Sequence, residues 1–244
     1  MVVRVLATGQ SNMRGRFEGG HPPFSTATRV TVWNNVNPLG SNGTALVSPS
    51  EGSAPFNSDG SNNLALWFCH RLSQELNDDV QLILVARDSS DISFWHPSTG
   101  SLYAEILDVW NAYGGYEFDI LLWHQGETGE TPDNTQYKTK WIAMRNALRT
   151  VGVIKDNAPA ILGGLQGARI GGTNDTYLQQ LANENADVYY ASSVGLDHGG
   201  DSLHFSGSAL YVFGYFKYWD QYRAHIGNKP RLSSPAILAA RRTW

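Results

Sequence analysis

The strongest constraint on this chain is an alternation: short, almost wholly apolar runs separated by stretches of helical periodicity. The runs occupy residues 2–8, 30–33, 81–86, 119–123, 160–165 and 187–191. Most are apolar on consecutive residues, as strands covered on both faces must be. Between them, residues 63–76 place Leu64, Phe68, Leu72 and Leu76 on one stripe. Residues 101–113 open on Ser101 as a cap and stop at Gly114-Gly115. Thr131-Pro132 reads as an N-cap followed by a first helical proline, for a helix that carries Tyr137, Trp141, Met144 and Leu148 and ends by Gly152. Residues 174–185 form a shorter pattern, and 206–222 a last one with Leu210, Phe213 and Phe216 facing inward. This alternation predicts a three-layer α/β/α sandwich with a central, mainly parallel sheet. Residues 19–60 break the pattern, being rich in Pro, Gly, Ser and Asn around one strand. They read as a long loop insertion over one end of the sheet, within a single domain spanning 1–244.

Composition narrows the function. A net charge of -4 and a pI near 5.9 give no electrostatic case for nucleic acid or an anionic membrane. The longest basic run is the Arg241-Arg242 pair. Cys69 is the single cysteine, which rules out an internal disulfide and a site built from several thiolates. It lies in the apolar run LALWFCH and reads as a buried, inert thiol. No apolar stretch is long enough to span a bilayer. The start, MVVRVLATG, lacks signal-peptide features and leads straight into a strand. Eight Trp among few charged residues suit a carbohydrate ligand and an extracellular or surface setting.

Three polar clusters interrupt this pattern. Gly9-Gln10-Ser11-Asn12-Met13 follows the first strand, where parallel sheets present their functional groups. A serine there has its own N–H near a developing oxyanion, although a lone serine is more often a helix cap. Trp123-His124-Gln125-Gly126-Glu127 follows another apolar strand: Gln125 offers an amide donor and Glu127 an acceptor for an imidazole, unless they are incidental loop residues. Asp201-Ser202-Leu203-His204 places a carboxylate three residues before an imidazole. That spacing lets the carboxylate hold one ring nitrogen while the other accepts a serine proton. An N-capping aspartate beside a surface histidine explains it equally well. Asp197, His198, Asp201 and His204 also crowd one segment, but no metal-ligand spacing is present and the expectation is no metal and no cofactor.

Taken together, GQSN, HQGE and DxxH, spread over almost the whole chain, resemble the SGNH (GDSL-like) hydrolases, in particular the branch of carbohydrate esterase family 6 and the sialate O-acetylesterase-like proteins. The resemblance implies a flavodoxin-like fold, Ser11 as nucleophile, His204 as general base and Asp201 as its orienting partner. It implies an oxyanion hole made by the Ser11 N–H, the Gln125 amide and a third backbone N–H. The family's third donor is a glycine in a GGT-like block. Here the stretch reads Arg87-Asp88-Ser89-Ser90-Asp91, and Ser89 is the candidate. Glu127 is a second candidate to orient His204, Asn12 a supporting residue, and His124 is expected to pack behind the site. Arg14 and Trp95 are candidate substrate contacts; Trp33, Trp95 and Trp123 are candidates for a stacking wall whose alternative is core packing, and for Trp123, at a strand end, core packing is the favoured reading.

The resulting expectation is a serine esterase that removes O-acetyl groups from an oligo- or polysaccharide. The alternatives are a general short-chain acyl esterase or lipase on the same triad, and a non-catalytic glycan-binding module on a disabled esterase fold.

Overall fold

The computed structural model describes residues 1–16, 29–35, 41–49, 62–129 and 136–227. Its centre is a seven-stranded sheet: β1 (Val2–Gly9), β2 (Val30–Trp33), β3 (Leu46–Val47), β4 (Asp79–Ala86), β5 (Ile120–His124), β6 (Ala160–Gly163) and β7 (Val188–Ala191). The order is β3-β2-β4-β1-β5-β6-β7. All neighbours are parallel except β3, which pairs antiparallel with β2 through Val32–Val47 and Trp33–Leu46. The α/β sandwich expected from the alternation is therefore present. β3 was not foreseen, because two residues are too short to carry a period. The rest of the 19–60 insertion, apart from 29–35 and 41–49, lies outside the described residues, as do Thr131-Pro132 and Arg241-Arg242.

Both sheet faces are covered, which is why the strands are apolar on consecutive residues. Val3, Val5 and Ala7 of β1 pack under α2 (Leu64–Leu76) and the C-terminal helical segment, while Leu6 points the other way. That other face is covered by α3 (Ser101–Ala112), α4 (Tyr137–Val151) and α5 (Thr173–Glu184). Asn63 caps α2 by accepting the Leu66 N–H at 3.0 Å. α3 is capped at Gly100, so Ser101 is its first helical residue and not its cap. α4 begins at Tyr137. The last helix is not continuous: α6 (Gly207–Val212) and α7 (Trp219–Gly227) flank a π-helical segment, Phe213–Tyr218. Phe216, expected inward, is 44% exposed as a result of that changed period. Cys69 is buried, and burial raises its thiol well above the ordinary value.

β1 sits between β4 and β5, with the chain winding outward on either side. This is the topological switch point, where the carboxyl ends of parallel strands open a crevice. The ends of β1, β4 and β5 are Gly9, Ala86 and His124.

Candidate active site

The turn after β1 is dictated by Gly9. Its φ is +147°, and a Cβ there would stand 2.0 Å from the His124 carbonyl oxygen. Only glycine lets β1 and β5 close at this height. Gln10 continues the join: its N–H donates to His124 O at 2.9 Å, and its Oε1 accepts the N–H groups of Gly126 and Thr128 at 3.2 and 3.4 Å. Gly126 itself has a φ of +142°. Ser11 then opens a single helical turn, α1 (Ser11–Arg14). As the first residue of that turn, it carries an N–H that the helix does not satisfy.

The third cluster folds as a tight turn beside α1. Asp201 Oδ1 accepts the backbone N–H groups of Leu203 and His204 at 3.0 and 2.8 Å, with Ser202 at a φ of +56° between them. Its other oxygen, Oδ2, lies 2.6 Å from His204 Nδ1. His204 Nε2 lies 2.8 Å from Ser11 Oγ, with Ser11 and His204 both buried. Residues 193 positions apart thus form a hydroxyl–imidazole–carboxylate line. Asp201 is not a helix cap, since Ser206 caps α6.

Desolvation raises the Asp201 carboxyl, but hydrogen bonds from the His204 ring and from the His204 and Leu203 backbone, with the His204 charge, outweigh it and lower it to about 2. A carboxyl whose folded pKa lies below its unfolded value of about 3.9 stabilises the fold above that pH and loses the contribution as pH falls. Unfolding titrations are expected to show the wild-type protein losing its advantage over Asp201→Asn as pH falls from about 4 towards 2. Parallel pH curves for the two proteins would contradict the assigned partners.

Several sequence-predicted residues take other positions. Gln125 is wholly enclosed, and its Nε2 donates to Ser90 O at 2.9 Å, with Thr128 O at 3.4 Å. It does not offer that amide to a ligand; it ties β5 to the turn that carries Ser89. Ser89 is exposed and has a φ of +56°. It therefore adopts the left-handed conformation for which glycine is the usual residue, so its dihedrals are not ordinary. Glu127 does not touch His204. Its Oε1 accepts from Asn12 Nδ2 and from His124 Nε2, each at 2.7 Å. Burial raises the Glu127 carboxyl, and the His124 charge with the two hydrogen bonds more than reverses this, so it is lowered overall. His124 is buried edge-on to Phe205 and Phe213.

None of the three candidate tryptophans forms a stacking wall here, and core packing, favoured for Trp123, holds for all of them. Trp95 and Trp123 are fully buried and pack edge to face at 5.2 Å. Trp33 is buried against Tyr113, its ring nitrogen donating to Asn42 O. Arg14 stands next to the site, 3.3 Å from Asp88. Among the described residues, no group of three or more His, Cys, Asp or Glu could hold a metal ion. No helix among them is long and apolar enough to cross a membrane.

The sequence reading missed the residues that hold these loops. Gln10 is one, although it sits inside the first motif. Others grip the backbone after β5: Tyr218 donates to Trp123 O, Tyr137 to Gln125 O, and Asn174 to Gly126 O, at 3.0, 2.6 and 2.8 Å. No local pattern marks them, because their partners are distant in the chain.

A doubly wound parallel sheet with this serine, histidine and aspartate at its carboxyl edge defines an SGNH-type carboxylic ester hydrolase. The family model described as carbohydrate esterase, sialic acid-specific acetylesterase matches residues 3–222, and the chain belongs to that family. No curated protein sequence matches it. Among solved structures, a protein from Arabidopsis thaliana is similar at 18% identity and a TM-score of 0.71, over 92% of this chain and 98% of its own. NanS aligns at 14% identity and 0.65, over 93% and 98%. Est24, a carbohydrate acetylesterase from Sinorhizobium meliloti, aligns at 14% and 0.53, over 91% and 99%. These likenesses establish the shared fold.

Proposed function

We propose that this protein is a serine esterase that removes O-acetyl groups from a carbohydrate through an acyl-serine intermediate. The observation that carries the reading is the continuous line from Ser11 Oγ through His204 to Asp201, at 2.8 and 2.6 Å. Ser11 Oγ attacks the ester carbonyl while His204 Nε2 takes its proton. Asp201 keeps Nδ1 protonated and stabilises the imidazolium. His204 then returns the proton to the departing sugar oxygen, leaving the acetyl group on Ser11. Water, deprotonated by the same nitrogen, attacks the acyl carbon; the bond to Ser11 Oγ breaks, acetate leaves and His204 returns the proton to Oγ.

The oxyanion is held by the backbone N–H groups of Ser11 and Ser89, the first at the start of α1 and the second on the turn fixed by Gln125. If the backbone rather than the side chain of Ser89 matters, Ser89→Gly keeps turnover, since glycine adopts a φ of +56° freely. Ser89→Pro, which loses the N–H and fixes a negative φ, abolishes it. A Ser89→Gly variant as inactive as Ser89→Pro would remove the turn from the hole.

The carbohydrate assignment draws support from family membership. Acetate release from a panel of acetylated oligo- and polysaccharides, with Ser11→Ala as control, tests it. Release from glycans, and a strong preference for acetyl over butyryl nitrophenyl esters, is expected. Equal rates on both esters with no release from any glycan would instead favour a general acyl esterase. Neither step uses a metal, so EDTA is expected to leave the rate unchanged.

A further inference from the structure

The esterase mechanism uses Ser11, His204 and Asp201, but leaves a buried polar group next to them without a role. Asn12, adjacent to the nucleophile, is 1% exposed, and every polar atom of its side chain is engaged. Its Oδ1 accepts the Phe205 N–H at 3.0 Å. Its Nδ2 donates to the Leu203 carbonyl at 3.2 Å and to Glu127 Oε1 at 2.7 Å. Leu203 and Phe205 are the two residues that flank His204. The amide cannot be turned round, because its oxygen would then face a carbonyl and a carboxylate.

The loop that carries His204 is otherwise bonded largely to itself: Gly199 N–H donates to His204 O at 2.8 Å, and Ser206 N–H to Asp197 O at 3.1 Å. Asn12 supplies polar contacts that join this loop to the turn bearing Ser11. Glu127 fixes Asn12 in turn. The same carboxylate oxygen is backed by His124 Nε2 at 2.7 Å, and both side chains are enclosed. A charged acceptor makes this bond stronger than a neutral one.

We propose that Asn12, anchored by the Glu127 carboxylate, is the positioning residue that sets the His204 ring against Ser11. Glu127 thus acts on the general base through Asn12, and not by touching the imidazole. The proposal rests on the esterase reading above.

The test is a double-substitution cycle on Asn12→Ala, Glu127→Gln and the combined variant, read by nitrophenyl acetate kinetics. In parallel, proton NMR follows the low-field resonance of the His204–Asp201 hydrogen bond. Each single variant is expected to lower kcat by about a hundredfold with KM little changed, as a misplaced catalytic group does. The combined variant should fall no further than Asn12→Ala, because Glu127 works through Asn12. The His204 resonance should shift or broaden in all three, although the hydrogen bonds of Asn12 run to the backbone on either side of that ring and to Glu127, and not to the ring itself. Asn12→Asp, close to isosteric, serves if Asn12→Ala does not fold. It keeps the acceptor for Phe205 but sets a carboxylate against Glu127, and should match the loss. Additive losses, or folded variants with wild-type kcat and an unmoved resonance, would overturn the proposal. A wild-type protein that cleaves no ester, while its resonance still responds to Asn12 and Glu127, would sink the esterase reading and leave the clamp standing.

Discussion

Ser11→Ala is expected to lower kcat on an acetyl ester by about a million-fold, to the level that binding and the oxyanion donors alone sustain. The size follows from the geometry. Ser11 Oγ is the atom within 2.8 Å of His204 Nε2, and removing it leaves the imidazole with no proton to take. Thr8 is buried within β1 with its hydroxyl towards Leu122 O, so it is no substitute nucleophile. The fold should survive, because the serine side chain supports no other element. Thermal unfolding of Ser11→Ala close to wild type, with turnover lost, is the expected pair of results. Turnover within tenfold of wild type would remove Ser11 as nucleophile.

Asp201→Asn is expected to lower kcat by about ten-thousand-fold, with the fold intact. The substituted side chain can still accept the Leu203 and His204 N–H groups through one oxygen, so the turn can close. At the other position an NH2 replaces the oxygen now 2.6 Å from Nδ1. Facing a donor, the ring turns Nδ1 into an acceptor and moves its proton to Nε2. That nitrogen then cannot take the proton of Ser11. Activity of this variant should recover at high pH less than a simple shift in titration predicts, since the tautomer and not the charge is at fault. A loss of only a few-fold would mean that the carboxylate neither orients nor charges the imidazole.

Much of this was legible in the chain. Six of the seven strands announce themselves as apolar runs, because burial on both faces leaves no polar side to mask them. The serine and the Asp–His pair fall where a strand ends or a helix begins, but type and position left a helix cap open for each; the resemblance of GQSN, HQGE and DxxH together is what assigned them. The turn at 201–204 was readable because it is local, an i to i+3 contact within one turn.

What escaped depends on partners far apart in sequence. Gln125 is an amide donor in either setting, and only the proximity of the Ser90 carbonyl decides what it donates to. Trp95 and Trp123 look alike as stacking platforms or as core, and their mutual packing, though they stand 28 positions apart in the chain, settles it as core. The left-handed φ at Ser89 carries no glycine to signal it. Glu127 was a second candidate to orient His204, after Asp201, and it reaches the His204 loop only by way of Asn12. The π-helical segment that turns Phe216 outward has no sequence period of its own.

The most direct measurement is rapid-quench mass spectrometry of the intact protein during turnover of nitrophenyl acetate, followed by peptide mapping. An acetyl group carried by Ser11, formed and discharged at rates consistent with kcat and missing from His204→Ala, is the predicted result. An active protein whose acetyl group maps to another side chain, or whose Ser11→Ala variant turns over as wild type does, would contradict it.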